Sequence, residues 1–490
     1  MNKFCELIDR FPRFQGGYVW DWQDKSLVGR TPEGERFFAY GGDFDEDVHD
    51  EKCPYFMTNN GVVMPDLAFK PVALELKEGY CPVRIKPVPR DSAWGTLPPL
   101  GKALVINYDP ARTLAAYSLI GQVVEDGVVV REKELSLPDL APLERAVVDV
   151  SVEYQRRPGR RYDLNLRVLR REASFYAPAG AQVGLTQLPL ESGAPDAPAL
   201  EAPAGQPVAV VRDGDSTIVR AGGLEVEFDG KAGSLTALRR DGVTYLAGPL
   251  NACFDRPVSG LDCQQGWGWW EAFRPVRELT QECRSFRVSL MEKEAIVDAE
   301  HALGSDWGIA VRFTYRIPSA GGRADVHFDV DPAFRALPRV GVEAVVAPGF
   351  EQLTYLGHGP NECYVDRLLS APYGLYETTV DGTHFAFNPP SENGGHEGVR
   401  RVSLADGAGH SLTFTLAQDA HFDARHQKIS DYFGARHEHE LPRRPETYLH
   451  LDAAHAPIGG DMAWSTGVDL SQMPAGGGYH LRFAIEVGEA

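Results

Sequence analysis

Tryptophans beside acidic and amide side chains are the most chemically suggestive feature of this 490-residue sequence. Residues 16–22 read GGYVWDW, which places Trp20 and Trp22 on either side of Asp21. An indole ring stacks on the apolar C–H face of a pyranose, while neighbouring polar groups bind its hydroxyls. The pattern therefore favours a sugar-binding surface, with tryptophans that simply fill a core as the alternative.

Two glycine-containing segments carry a similar mixture of residues. Asn59, Asn60 and Gly61 form an NNG motif that is most simply a turn, and residues 459–464 form a glycine loop that carries Trp464. Loops of this composition are common, so neither segment predicts a site on its own.

Signatures of other catalytic chemistries are missing from the sequence. It contains no G-x-S-x-G, no H-E-x-x-H, no P-loop and no G-x-G-x-x-G after a strand. His437 and His439 would share a face of a strand and could pair at a metal, but a solvated polar face is the simpler interpretation. The five-residue spacing of His421 and His426 fits neither helical nor strand pairing.

The amino-acid composition argues against several classes of binding partner. The formal net charge is −20, from 49 basic and 69 acidic residues, which argues against nucleic-acid and anionic-membrane partners. This charge does not disfavour a neutral ligand such as a sugar. Seven cysteines without a C-x-x-C pair argue against a disulfide framework and favour a reducing compartment. Glu6 and Asp9 stand where a signal peptide would be apolar, and no apolar run approaches a membrane span. We therefore expect a cytoplasmic protein.

The elements that must position these residues are mainly short strands. Alternating apolar and polar side chains predict strands at residues 162–168, 309–317 and 324–330. Asp-Gly and Gly-Gly pairs predict hairpin turns at residues 126–127, 241–242 and 321–322, because such turns need positive φ angles. Repeated strands with frequent turns predict antiparallel β-sandwiches, and the length suggests about three domains.

The beginning of the chain differs from this pattern. Residues 4–11 and 71–78 predict helices, and residues 17–22 predict a short buried strand. One such α/β unit cannot cover both faces of a parallel strand, so this region looks incomplete. Residues 192–207 are rich in Pro, Ala and Gly and predict a linker.

Eight motifs occur in an order that resembles one protein family. They are QGGYVWDWQDKSL, AYGGDFDED, NNGVVMPD, FYAPAG, LPRVGVEAVV, YLGHGPNECYVDR, PSENGG and IGGDMAWS, and they run from residue 15 to residue 465. In sequence and spacing they resemble the C-terminal half of the large bacterial β-galactosidases of glycoside hydrolase family 2. The resemblance covers nearly the whole chain.

The resemblance implies a mainly β fold in three parts. Residues 1–82 would be the last part of a catalytic (β/α)8 barrel, whose final strand would be residues 17–22. Residues 83–192 would form an immunoglobulin-like β-sandwich, and residues 193–206 a linker. Residues 207–490 would form the large small-chain-type β-sandwich, which is galactose-mutarotase-like.

The resemblance also implies what is missing. Retaining glycosidases use two glutamates about 5 Å apart as acid/base and nucleophile. In the family both lie earlier in the barrel, so they would lie upstream of Met1, and we expect no catalytic residue in this chain. Glu362 and Glu392, in the GPNE and SEN motifs, match C-terminal-domain motifs and are not expected to replace them.

Three side chains match substrate-binding positions of the family. Trp20 matches the barrel tryptophan that forms part of the galactose pocket floor. Asn60 matches the asparagine of an F-x-x-N-G motif, which binds sodium and a sugar hydroxyl. Trp464 matches the C-terminal tryptophan that stacks on the substrate.

The resemblance further implies Na+ and Mg2+ as cofactors. The sodium-binding carbonyl would come from Phe56 or Met57, although YFMTNNG has one residue more than F-x-x-N-G. His49 falls near the position of a magnesium-ligand asparagine. Leu67 and Ala463 replace an arginine and a serine of the family's motifs, which leaves the exact sugar open.

Two hypotheses follow. In the first, the chain is the C-terminal portion of a retaining β-galactosidase for terminal β-D-galactose, as in lactose, and is inactive without its N-terminal part. A complementing N-terminal chain and a homo-oligomer are then candidate partners. In the second, it is a non-catalytic carbohydrate-binding or assembly β-sandwich protein, with Trp464 as the binding platform.

Overall fold

The structure is a computed structural model in which strands dominate, as the sequence predicts. It describes residues 2–11, 13–45, 58–88, 101–191, 207–259, 262, 273–304, 308–331, 337–458 and 478–489. None of the helices in these ranges has the length and apolar composition needed to cross a bilayer. The five cysteines within these ranges carry free thiols, and the predicted linker lies outside them.

The first segment, by which we mean the described residues before residue 83, contains both predicted helices and one hairpin. Its elements are α1 (Asn2–Arg10), β1 (Leu27–Arg30), β2 (Arg36–Ala39) and α2 (Pro71–Gly79). Proline begins α2, where its missing N–H costs no helical hydrogen bond. β1 and β2 pair antiparallel, with Leu27 opposite Ala39.

The prediction of a buried strand at residues 17–22 is wrong. These residues are mostly exposed and form no strand, and the adjoining Gln23 makes an isolated parallel bridge to Val63. The physical reason is sparse pairing: within the described residues, the backbone hydrogen bonds of residues 17–22 to other segments go to residues 60–63.

The first β-sandwich is built from two antiparallel sheets. One sheet has the order β3-β4-β7, with β3 (Val83–Pro87), β4 (Lys102–Asn107) and β7 (Arg145–Asp149). The other has the order β6-β5-β8-β9, with β5 (Tyr117–Glu125), β6 (Val128–Leu135), β8 (Tyr162–Arg170) and β9 (Gln182–Glu191). Alternate residues of β8 are buried in the core between the sheets, as the sequence predicts.

The large β-region contributes seventeen strands within the described residues. They are β10 (Ala209–Asp213), β11 (Ser216–Ala221), β12 (Leu224–Asp229), β13 (Ser234–Arg240), β14 (Val243–Leu246), β15 (Asn251–Cys253), β16 (Gln281–Leu290), β17 (Glu294–Leu303), β18 (Ile309–Pro318), β19 (Arg323–Val330), β20 (Arg339–Val346), β21 (Gln352–His358), β22 (Tyr373–Thr379), β23 (His396–Ala405), β24 (His410–Arg425), β25 (Thr447–His455) and β26 (Tyr479–Glu489). A one-turn helix, α3 (Val380–Thr383), follows β22.

Strand β24 joins two antiparallel runs of strands around one core. Its first part, residues 410–416, pairs with β26, which continues through β19, β18 and β17 to β16. Its last part, residues 421–425, pairs with β25, which continues through β20 and β14 to the β10–β13 meander. The inward side chains of both runs form a single apolar cluster.

Hydrogen bonds attach the first segment and the first sandwich to the large β-region. The Tyr40 hydroxyl donates to the Arg436 carbonyl at 2.6 Å, and the Ser370 N–H donates to Glu75 Oε2 at 3.0 Å. Gln187 in β9 accepts from the Tyr373 N–H at 2.7 Å and donates to the Tyr373 carbonyl at 2.9 Å. These contacts fix where the first segment lies.

Candidate functional site

The structure brings the predicted residues Trp20 and Asn60 together at the edge of the first segment. The Asp21 N–H donates to the Asn60 carbonyl, and the Val62 N–H donates to the Asp21 carbonyl, both at 3.0 Å. The Trp20–Asp21 peptide is cis. Trp20 is 78% exposed, so its ring is a surface feature rather than a core filler.

Lys25 links these side chains into one polar and aromatic cluster. Its ammonium lies 2.5 Å from Asp21 Oδ2, 3.3 Å from Asn60 Oδ1 and 5.5 Å from the centre of the Trp20 ring. The hydrogen bond from Lys25 lowers the pKa of Asp21, so the acid is ionised at neutral pH. The cluster offers an indole face beside a carboxylate, an amide and an ammonium, which is a set of groups suited to a polyhydroxylated ligand.

A buried ion pair beneath this cluster holds the loop that carries Asn60. Lys70 Nζ lies 2.6 Å from Asp24 Oδ1 and 2.9 Å from the Asn59 carbonyl, and the Gly61 N–H donates to the same Asp24 oxygen at 2.8 Å. Burial raises the pKa of Asp24 and lowers the pKa of Lys70, against their mutual attraction. A Cβ at Gly61 would lie 2.3 Å from the Asp24 nitrogen, so the glycine permits the close approach.

Glu362 and Glu392 are charge partners inside the large β-region. Glu362 pairs with Arg367 and accepts from the Gly394 N–H at 2.8 Å. Glu392 Oε1 accepts from Arg425 at 3.1 Å and from the Tyr364 hydroxyl at 3.2 Å. Both carboxylates are bound by guanidinium groups, which is the arrangement of structural ion pairs.

A buried network that the sequence analysis did not identify surrounds Arg339. This guanidinium, with no exposed surface, bonds to Asp423 and lies 3.2 Å from Asp452 Oδ2 through Nε. His450 donates to Asp423 Oδ1 at 2.8 Å. Burial opposes ionisation of Asp423, but Arg425, His450 and Arg339 hold its pKa well below the usual range. The partners are distant in sequence, so no local pattern signals the network.

Three family models match consecutive parts of the chain. The glycosyl hydrolases family 2 TIM barrel domain matches residues 1–85, beta-galactosidase domain 4 matches residues 103–191, and the beta galactosidase small chain matches residues 220–485. The last of these covers more than half of the chain. The chain belongs to the beta-galactosidase small-chain family. The resemblance to family 2 β-galactosidases that the motifs predict is thereby confirmed.

Curated relatives of this small-chain family member are longer proteins. The beta-galactosidase of Streptococcus thermophilus is 26% identical over 483 residues, which are 98% of this chain and 45% of that protein. The beta-galactosidase of Vibrio cholerae is 28% identical over 489 residues, which are 95% of this chain and 44% of that protein. The chain therefore spans about half the length of the curated relatives it matches.

Solved structures give low similarity scores against this small-chain family member. A galactose mutarotase-like protein from Lactobacillus casei has a TM-score of 0.32 at 12% identity, covering 57% of this chain and all of that one. A putative aldose 1-epimerase from Escherichia coli has a TM-score of 0.30 at 12% identity, covering 58% of this chain and 99% of that one.

The described residues of this family member form only part of the implied sodium site. Asn60 Oδ1 is in place, but the Lys25 ammonium already lies 3.3 Å from it. Phe56, His49 and Trp464 lie outside the described residues. A metal ion needs several oxygen ligands, and the described residues offer a single amide oxygen that already faces the Lys25 ammonium. The residues therefore fit a sodium site only in part.

Two other groups of side chains have metal-ligand geometry, and an arginine lies at each. His421, Asp423 and Asp452 are all buried, and Arg339 contacts both of their carboxylates. In the second group, His426 Nε2 lies 3.0 Å from Glu351, with Asp381 beside them. Arg443 Nη2 lies 2.9 Å from Asp381 and 3.2 Å from His426 Nε2. In both groups a guanidinium supplies the positive charge that a metal ion would bring.

Proposed function

We propose that this chain is the part of a retaining β-galactosidase that forms one wall of the galactose site, while both catalytic glutamates come from polypeptide outside this sequence. Family membership and the beta-galactosidase names of relatives about twice as long support the proposal. The enzyme would hydrolyse terminal β-D-galactose residues by the two-carboxylate mechanism.

The observation that carries the proposal is the exposed cluster of Trp20, Asn60, Asp21 and Lys25. Trp20 would stack on the C–H face of the sugar, and the amide of Asn60 would bind a hydroxyl. Trp464 would close the site as a second stacking platform. Asn60, with the carbonyl of Phe56, would belong to the sodium site, and His49 to a magnesium site. These ions would supply positive charge that orders the sugar hydroxyls.

Exposed apolar side chains in the same segment as the cluster support the proposal that a partner protein covers this part of the chain. Tyr18 is fully exposed, and Trp20, Trp22, Leu27 and Phe69 are each at least 60% exposed. Large apolar side chains concentrated in one short exposed stretch, residues 18–22, are typical of an interaction site. We infer that further barrel polypeptide, in an N-terminal complementing chain, covers it. In this proposal residues 1–82 are the end of the barrel, residues 83–192 the immunoglobulin-like domain and residues 207–490 the small-chain domain.

Turnover of a chromogenic β-galactoside tests the proposal. The purified chain alone should show none, and mixing it with the polypeptide that supplies the upstream barrel should restore it. In the mixture Trp20→Ala should raise KM at least tenfold, because the stacking face is lost. The matched control Phe175→Ala, which removes an exposed ring of the first sandwich, should leave KM unchanged. Turnover by the chain alone, or a Trp20→Ala mixture with an unchanged KM, would contradict the proposal.

The exposure of Trp20 also favours a second candidate, a carbohydrate-binding protein without catalysis. Titration calorimetry with galactose and lactose separates the two. Binding to the chain alone that disappears in Trp20→Ala, without any complementation by upstream barrel polypeptide, would favour the binding protein. No binding alone, with turnover in the mixture, would favour the split enzyme.

A further inference from the structure

A cavity of about 510 Å³ lies between the first segment and the large β-region. Residues 36–38 with Met64, Asp66 and Ala68 form one side, and residues 385–388 and 437–439 form the other. Its volume is that of a pocket for a small organic molecule. Neither Trp20 nor Asn60 lines it, so it is a different place from the proposed galactose site.

Aromatic rings form a large part of the cavity wall. The lining includes four phenylalanines and two histidines, namely Phe37, Phe38, Phe385, Phe387, His437 and His439. The imidazoles of His437 and His439 are parallel with their centres 5.5 Å apart, and Phe37 lies 4.7 Å from His437. Such walls favour a flat apolar body and, through their negative faces, a cation.

His437, a lining residue, is held by a carboxylate from outside the lining. His437 is 5% exposed, and its Nε2 lies 3.1 Å from Asp43 Oδ1. A carboxylate only accepts, so Nε2 carries a proton in this contact. Arg436 also binds Asp43, at 3.0 Å, and balances its charge. Within the described residues His437 Nδ1 has no partner.

Glu438, the next residue in the lining, repeats this pattern. Its Oε1 lies 2.7 Å from His384 Nε2, whereas its Oε2 is buried and has no partner among the described residues. Glu438 thus contributes a carboxylate to the lining, and an ammonium group pairs with a carboxylate through charge-assisted hydrogen bonds.

The charges of the lining agree with this pairing. Asp66 and Glu438 are acidic, and the single arginine of the lining, Arg36, lies 5.1 Å above the Phe38 ring and 3.7 Å from Asp66. The lining thus has one more acidic than basic group. An anion would face this net negative charge, and a sugar would bury several hydroxyls against phenyl rings.

We propose that this cavity binds a small arylalkylammonium ion. The aromatic ring lies among the phenylalanines, and the ammonium pairs with the carboxylate of Glu438, a lining residue. The site is independent of the proposed glycosidase function, because none of its lining residues belongs to the Trp20 cluster.

Calorimetry with three ligands of matched shape tests the proposal on the whole chain. We expect 2-phenylethylamine to bind at least tenfold more tightly than 2-phenylethanol, and phenylacetate not to bind. Glu438→Gln should weaken amine binding about tenfold and leave the alcohol unchanged. The control Glu440→Gln, in the same helical turn but outside the lining, should bind the amine as the native chain does.

A cavity-filling variant keeps the test decisive. Ala68 lines the cavity and is exposed, so Ala68→Trp should fold, as thermal unfolding would verify, yet abolish binding of both amine and alcohol. Equal affinity for amine and alcohol would overturn the proposal, as would amine binding that survives Ala68→Trp. Displacement of the amine by galactose would also overturn it, by making the cavity a sugar subsite.

Discussion

Replacing Lys70 by methionine should loosen the loop that carries Asn60. Lys70 is 5% exposed and Asp24 4%, so the substitution leaves a buried carboxylate without its cation. Removing one partner of a buried ion pair costs about 3–5 kcal/mol. A cost of about 3 kcal/mol would raise the equilibrium constant for local opening more than a hundredfold.

Hydrogen exchange of the peptide that spans residues 58–63 measures this effect directly, because the Gly61 N–H donates to Asp24. The control is Lys25→Met, which breaks an ion pair between side chains that are 48% and 30% exposed. Exposed pairs contribute at most about 1 kcal/mol, so exchange should accelerate only a few-fold. The double variant Asp24→Asn with Lys70→Met should recover most of the protection, because an amide carries no charge.

The destabilisation caused by Lys70→Met should be smaller at low pH than at high pH. Burial already raises the pKa of Asp24, and loss of the ammonium raises it further. In the variant, the folded chain therefore keeps Asp24 protonated at pH values where the unfolded chain has already released that proton, above the ordinary pKa of about 4. Protonation removes the uncompensated buried charge. The cost of the substitution, relative to the native chain at the same pH, should therefore shrink from pH 8 to pH 5. Equal acceleration at both pH values, or an equal effect of Lys25→Met, would refute this reasoning.

Two further predictions concern the sandwich and the large β-region. Gly127→Ala should destabilise the chain by about 2 kcal/mol or more, because φ is +85° and a Cβ would lie 2.4 Å from the Leu375 nitrogen. Gly242→Ala, with the same φ and open space around it, should cost only the backbone strain, and equal shifts in melting temperature for both would contradict the clash. Burial lowers the pKa of His396 to about 3, so the unfolded state binds a proton first and stability falls as pH drops below about 6.5. His396→Phe should flatten that decline between pH 7 and pH 4.5, and an unchanged slope in melting temperature would contradict it.

Local signals in the sequence predicted the elements well. The Asp126-Gly127 and Asp241-Gly242 pairs adopt positive φ angles and connect β5 to β6 and β13 to β14. The alternation at residues 309–317 becomes β18, whose inward side chains are buried. The helix predicted at residues 71–78 becomes α2. In each case the chemistry that fixes the element lies within a few residues.

Features that depend on distant partners were not predictable in this way. The sequence predicts a solvated strand face at His437 and His439, but they lie at a short 3-10 helix, and His437 is buried because Phe37 and Tyr40 pack against it. Arg339 and Asp423 are separated by 84 residues, so neither periodicity nor spacing reveals their pairing. The juxtaposition of Trp20 with Asn60 was indicated only by resemblance.

The two ends of the described chain differ in how fully their apolar side chains are covered, and this difference bears on function. In the large β-region, even deeply buried charges such as Arg339 and Asp423 are paired, and the inward apolar residues share one core. In the first segment, Tyr18 and Trp20 project into solvent beside a backbone that makes a single isolated bridge at Gln23. Exposed rings cost free energy in water unless a partner covers them. The large β-region thus covers its apolar side chains with its own strands, whereas we propose that another polypeptide packs against the exposed rings of Tyr18 and Trp20.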